Sequence, residues 1–192
     1  MAGKVPKTVF ALVEPAVWSL AAQLLILTTG RRGSTKHRPD VSTFYETGIV
    51  TSLYQAMLMS PVLANYDIRH EMSFPTPGKG APKRVDLWMR PHNGGWPMMI
   101  EAGDFGVNKV HSDLDKLQTL NPSGTNWFLA FFRGKDAEND PFPELKKSFE
   151  RANGLNGEKV TMERSLVKSF DVYRPNEKPD RFGLALLRGK SH

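Results

Sequence analysis

The pattern of hydrophobic and polar positions predicts helices and strands in alternating groups along the chain. Apolar residues at helical spacing indicate a helix that begins after Asp40 or Ser42 and ends near Met59. Further on, the apolar positions alternate with polar ones or form short runs, which is typical of strands. The predicted strands cover 66–74, 84–90 and 98–102, with an Asn-Gly turn between the last two.

The second half of the chain continues this alternation. Leucines on one helical face predict a helix from His111 or Ser112 to Leu120, after a loop over 103–110. The continuous apolar run 126–132 predicts a central buried strand. The remaining predictions are a helix over 143–152, one or two strands over 160–173 with a break near Ser165, and a strand over 182–187. This order predicts an α/β (α+β) fold, with a mixed sheet flanked by helices.

The N-terminal region is predicted to be a helix followed by a basic loop. The apolar segment from Val9 to Leu27 is interrupted by Glu14 and Pro15. It therefore predicts a core or interface helix that begins near Pro15, and no membrane span. The loop over 30–40 is either a phosphate-binding patch or a solvated linker, and its basic residues are Arg31, Arg32, Lys36, His37 and Arg38.

Length, charge and cysteine content restrict the classes of protein to which this chain could belong. The 192 residues are expected to form a single domain, 1–192, in three parts: 1–39, a core over 40–133, and a C-terminal helix and strands over 134–192. The formal net charge of +6 favours a polyanionic partner, nucleic acid first. The chain has no cysteine, which excludes disulfides and thiolate metal sites and suits a cytoplasmic protein.

Two acidic residues within apolar strands are the candidate chemistry. Asp86 stands between valine and leucine, and Glu101 follows methionine and isoleucine. Because a short turn joins their strands, the two carboxylates are expected to lie side by side. A carboxylate in an apolar strand needs a partner, and a divalent cation is one. Mg²⁺ or Mn²⁺ suits such a pair, with water and substrate phosphate as further ligands.

The order of these motifs resembles the PD-(D/E)XK, or restriction-endonuclease-like, nucleases. The resemblance covers roughly 40–133: Arg-Val-Asp86-Leu, a glycine-containing turn, Met-Ile-Glu101, and Asp-Leu-Asp-Lys116-Leu. It implies that Asp86 and Glu101 bind Mg²⁺ or Mn²⁺ and that Glu46 of the upstream helix assists. It predicts a restriction-endonuclease-like fold and a metal-dependent nuclease, with DNA as the favoured substrate.

One position departs from the pattern of that family. A lysine is expected two residues after the second acid, where this chain has Gly103. Lys116 of the predicted helix, or else Lys109 of the loop, could supply the ammonium. Asp104 could instead join the metal ligands. Alternatively the site is inactive, which predicts a nucleic-acid-binding or protein-binding module without catalysis.

The candidate acids also have structural interpretations. Asp86 could pair with Arg84 or Lys83, which are candidate nucleic-acid contacts in their own right. Glu46 fits a capping box with Thr43, in which the two side chains satisfy backbone amides at a helix start.

Other side chains leave alternatives open as well. Lys116 could be a solvated helix lysine paired with Asp113 or Ser112. Trp96 and Phe105, in loops expected beside the acids, are candidates for stacking on bases, whereas Trp127 is expected in the core. The apolar N-terminal segment motivates a third hypothesis, a structural or assembly protein, and a homodimer is one expected form.

Overall fold

A computed structural model describes residues 4–29, 41–75, 80–133, 161–172 and 180–190. The helices in this part of the chain are α1 (Lys4–Thr29), α2 (Val41–Leu58) and α3 (Val107–Leu120). The strands are β1 (Tyr66–Phe74), β2 (Lys83–Pro91), β3 (Met98–Asp104), β4 (Thr125–Arg133), β5 (Thr161–Val172) and β6 (Asp180–Lys190). A 3₁₀ turn, Pro61–Leu63, connects α2 to β1.

These strands form one mixed sheet in the order β1-β2-β3-β4-β6-β5. β3 and β4 are parallel, because α3 carries the chain back along the sheet between them. The other neighbouring strands are antiparallel. The α/β (α+β) class with a mixed sheet is therefore confirmed.

Helices cover both faces of the sheet. α1 and α2 contribute Val13 and Leu53 to the core on one face. On the other face, Val110, Leu114 and Leu117 of α3 pack against the sheet. The central strands are thus buried on both sides, which explains the continuous apolar run in β4.

The start of α1 differs from the prediction. The helix begins at Lys4, and Pro15 lies inside it. Pro6 occupies the first turn, where a proline leaves no helix amide unsatisfied, so it takes the position predicted for Pro15. The buried side chains described for α1, from Val5 to Leu20, lie in the core of the same chain. Within the described residues, no helix is long and apolar enough to cross a membrane.

The predicted strands agree with the structure to within a few residues, but the start of α3 does not. α3 begins at Val107, not His111. Its N-cap, Gly106, makes no side-chain hydrogen bond, and its first turn has no acidic residue, so the usual start signals are absent. Lys109, predicted in a loop, therefore lies in the first turn of α3. The basic loop over 30–40 and the predicted helix over 143–152 lie outside the described residues.

An irregularity in β1 and β2 lies next to the candidate acids. Val85 and Leu87 belong to the cores on opposite faces of the sheet, although residues two apart in a regular strand share a face. By the register of the two strands, Glu71 lies opposite Asp86, and Glu71 has a φ of 49°. This left-handed conformation is unusual for a residue with a side chain. The local distortion takes Asp86 out of the regular alternation of the strand.

Candidate functional site

The candidate site lies where β2 and β3 separate. These strands pair at three positions, ending at Leu87 and Ile100, whereas β3 and β4 pair at seven. Beyond the last pair, Asp86 Oδ2 accepts a 2.8 Å hydrogen bond from the backbone amide of Ala102. A carboxylate thus takes the place of a backbone partner where the pairing of β2 with β3 ends.

Glu101 faces α3 from the second half of β3. It shares a strand face with Met99, which packs in the core beneath α3. Its side chain is 7% exposed, and Oε1 lies 2.6 Å from Lys116 Nζ. The same ammonium lies 3.7 Å from Asp113 Oδ1, one helical turn earlier. The buried carboxylate therefore has a cationic partner, as its desolvation requires.

A second ammonium comes from the first turn of α3. Lys109 Nζ donates a 2.9 Å hydrogen bond to Glu46 Oε1 of α2. Helices from opposite faces of the sheet thus meet at the end of β3. Because α2 begins at Val41, Glu46 lies in its second turn and binds Lys109, so the predicted capping box with Thr43 is wrong.

Burial raises the pKa values of both strand carboxylates. For Glu101 burial is the largest cause, the charge of Asp86 adds to it, and the pKa reaches about 8 despite Lys116. Burial also raises the pKa of Asp86, while the Ala102 amide and Lys116 act against it. The interacting groups are called the charged cluster below: Glu46, Asp86, Glu101, Lys109, Asp113 and Lys116.

The charged cluster is negatively charged overall. When all its groups are ionised, four carboxylates and two ammonium groups leave a formal charge of −2. A pKa of about 8 means that Glu101 takes up a proton at neutral pH when no other cation is near. Asp86 and Glu101 offer the oxygen ligands that Mg²⁺ or Mn²⁺ prefers. Among the described residues, no group of three or more His, Asp or Glu side chains is arranged to hold a metal ion.

The structure brings together all five side chains that the sequence indicates for catalysis: Asp86, Glu101, Lys116, Lys109 and Glu46. Asp113, which the sequence indicates only as a partner of Lys116, also belongs to the cluster. Its position three residues before that lysine is the available signal, since such residues are neighbours on a helix.

The basic candidates on β2 are not partners of Asp86. The guanidinium of Arg84 lies 3.8 Å from Glu71 and is largely exposed, so the ion pair suggested for Asp86 is wrong. Lys83 begins the same strand and is half-buried. The other proposed nucleic-acid contacts, Arg31, Arg32, Lys36 and Arg38, lie outside the described residues.

The aromatic candidates occupy different places. Trp127 is buried, as predicted, and Phe105 packs against the core beneath α3. Trp96 is 72% exposed but precedes β3, so at 3.3 Å per residue it lies roughly 16 Å along the chain from Glu101. Trp96 is therefore not beside the acids. Asp104 ends β3 and, by strand alternation, lies on the face opposite Glu101.

No protein-family model, curated protein or solved structure matches this chain. Its function is therefore inferred from the charged cluster and the place of that cluster in the fold.

Proposed function

We propose that the protein is a metal-dependent nuclease that hydrolyses phosphodiester bonds in DNA. The observation that carries this proposal is the meeting of Asp86 and Glu101 with two lysines of α3 where the pairing of β2 with β3 ends. The elements also follow the order implied by the resemblance to PD-(D/E)XK nucleases. A helix carrying a glutamate precedes the strands that carry the acids, and a helix and a further core strand follow them.

The carboxylates and the lysines have different roles in this proposal. Asp86 and Glu101 would hold Mg²⁺ or Mn²⁺ between the strand ends. Once bound, the ion would lower the pKa of an attacking water and neutralise charge on the phosphodiester. Lys116 favours the ionised form of Glu101, because its ammonium lies 2.6 Å from the carboxylate and lowers the pKa of that group.

Hydrolysis replaces one phosphorus–oxygen bond with another. The oxygen of water bonds to phosphorus, and the bond between phosphorus and the leaving sugar oxygen breaks. The leaving oxygen takes up a proton. An ammonium of α3 beside the phosphate would stabilise the negative charge that develops on its oxygens.

Plasmid cleavage in the presence of Mg²⁺ or Mn²⁺ tests the proposal. Asp86→Asn should reduce cleavage by about 100-fold or more, since even the outer partners of metal ligands contribute roughly 10- to 100-fold. The amide keeps the size of the side chain and an oxygen for the Ala102 amide. The matched control is Asp67→Asn on β1, where an exposed carboxylate pairs with Arg69 outside the site. Its cleavage should be unchanged.

Two results would contradict the nuclease. One is the failure of the unchanged protein to cleave any DNA or RNA substrate. The other is equal cleavage by Asp86→Asn, which would indicate a contaminating enzyme.

A binding module without catalysis is the second candidate. One observation favours it: Lys116 already gives the buried Glu101 carboxylate a cationic partner. Calorimetric titration with Mn²⁺ separates the two candidates. Saturable binding that is lost in Asp86→Asn supports the nuclease. An unchanged protein that binds no Mn²⁺, yet binds DNA in a salt-sensitive way, supports the binding module.

A further inference from the structure

Gly103 leaves a space on β3 that the side chain of Lys109 fills. A Cβ atom built on Gly103 would lie 2.5 Å from Lys109 Cε and 2.6 Å from its Nζ. The same Cβ would lie 3.1 Å from Glu46 Oε2. The two distances to Lys109 are too short for real contacts, so any side chain at 103 would displace the end of the lysine. The ammonium of a helix residue thus stands where a strand residue would place its own side chain.

This space is on the catalytic side of the strand. Gly103 follows Glu101 by two residues, so both positions face the same side of β3. The Lys109 ammonium therefore enters the charged cluster beside the carboxylates proposed to hold the metal, and the charge of Asp86 acts on it.

The position of Lys109 in its helix is unfavourable without Glu46. A cation in the first turn of a helix is repelled by the helix dipole. The 2.9 Å hydrogen bond to Glu46 opposes that effect and fixes the direction of the side chain. Burial is the largest single effect and lowers the pKa of Lys109, but the interactions with Glu46, Asp113 and Asp86 together outweigh it, and the pKa lies above its ordinary value. The lysine is therefore held charged.

The two lysines of the cluster differ in access. The side chain of Lys116 is 23% exposed and lies against two carboxylates, Glu101 and Asp113. That of Lys109 is 39% exposed, and Glu46 accepts one of the three hydrogen bonds that an ammonium can donate. Lys109 is the ammonium better placed to reach an anionic ligand.

The geometry points to Lys109 as the residue that binds the scissile phosphate, with Gly103 and Glu46 as the residues that position it. This inference rests on the proposed nuclease function and assigns the phosphate contact within it. Lys116 serves the metal ligand Glu101. In this arrangement α3 supplies the lysine and β3 supplies the space for it. The glycine on β3 is needed because a side chain there would occupy that space.

An exchange of residues 103 and 109 tests the inference by cleavage kinetics measured over a range of Mg²⁺ concentrations up to saturation. Lys109→Met should lower kcat by about 100-fold, the usual effect of removing one donor to a developing charge. Lys116→Met should mainly raise the metal concentration needed for half-maximal rate. The exchanged double variant, Gly103→Lys with Lys109→Ala, should be at least about tenfold faster than Lys109→Ala alone, because a lysine at 103 starts from the same space.

Two kinetic results would overturn the inference in an active nuclease. One is a Lys109→Met variant with unchanged kcat. The other is a folded double variant no faster than Lys109→Ala. Absence of cleavage by the unchanged protein would instead be a failure of the proposed function, and would remove the phosphate contact with it.

Thermal unfolding tests the positioning without any need for cleavage. Gly103→Ala should be less favourable for the Tm of the otherwise unchanged protein than for a Lys109→Ala variant, by roughly 2 °C, because the added methyl group displaces the end of the Lys109 side chain from Glu46. The comparison of the two backgrounds removes the gain that alanine gives over glycine within any strand. Equal effects in both backgrounds would show that Lys109 does not occupy this space. Glu46→Asp should keep more of kcat than Glu46→Ala, whereas equal losses would contradict a positioning role for Glu46.

Discussion

Replacing Glu101 with glutamine should remove a pH dependence of stability from the metal-free protein. In the folded chain, burial and the charge of Asp86 together raise the pKa of Glu101 from 4.5 to about 8. Between these two values the folded protein keeps a proton that the unfolded chain has lost. The contribution of Glu101 to stability is therefore complete below about pH 4.5 and is lost as the pH rises to about 8.

The size of this effect follows from the same shift. Between about pH 5 and 8 the free energy of unfolding should fall by about 1.4 kcal/mol for each pH unit. From pH 5.5 to 7.5 the loss is about 3 kcal/mol, a large part of the 5–15 kcal/mol that stabilises a typical domain. Glu101→Gln cannot ionise, so its stability should not show this fall.

Urea unfolding in EDTA, followed by circular dichroism at several pH values, measures the difference. Glu71→Gln makes the same chemical change at an exposed glutamate that pairs with Arg84, and should follow the unchanged protein. If the curves for the unchanged protein and Glu101→Gln are parallel from pH 5.5 to 7.5, Glu101 ionises near its ordinary pKa. Burial would then not control the ionisation of this carboxylate, and the reasoning would be refuted.

Outside the charged cluster, removing a glycine at 124 and introducing one at 71 should have opposite effects on the stability of the protein. Gly124→Ala should destabilise the protein by about 2–4 kcal/mol in thermal melts, because its Cβ would overlap the Asn121 side chain that donates to Pro97 O. The neighbouring Ser123→Ala, at an exposed site, is the control, and equal melting of the two would contradict this. Glu71→Gly should be neutral or stabilising by up to about 1 kcal/mol in urea, and Glu71→Val destabilising by about 1–2 kcal/mol, given the φ of 49°. The opposite ranking, usual for strands, would count against strain at this position.

The strands around the acids are predictable from the sequence because their apolar positions either alternate with polar ones or form short runs. β1 has the predicted limits, and β2 and β3 differ by one or two residues at their ends. Alternation and turn residues are local signals, and here they agree with the tertiary packing. The pairing of β2 with β3 follows from the short turn between them, which is sufficient to bring Asp86 and Glu101 together.

The ends of the helices are less predictable, because their signals are weak or misplaced in this chain. Two prolines in α1 each suit a first turn, and composition alone does not show that Pro6 takes it. α3 lacks both a capping side chain and an acidic first turn. Its true start places Lys109, predicted in a loop, on a helix that packs against the end of β3.

The missing lysine at position 103 shows where reasoning from sequence spacing stops. Spacing along a strand identifies which residues share a face, so it marks Gly103 as a place without an ammonium. It does not report which other chain segment fills the space above a glycine. A glycine permits close approach by another group, and here that group is Lys109, six positions later in the chain. The missing side chain at Gly103 and the unusual position of the Lys109 ammonium are therefore two aspects of the same structural feature. A glycine at 103 is compatible with an inactive site and also with an active site whose lysine comes from another segment of the chain. The exchange of residues 103 and 109 distinguishes these two interpretations.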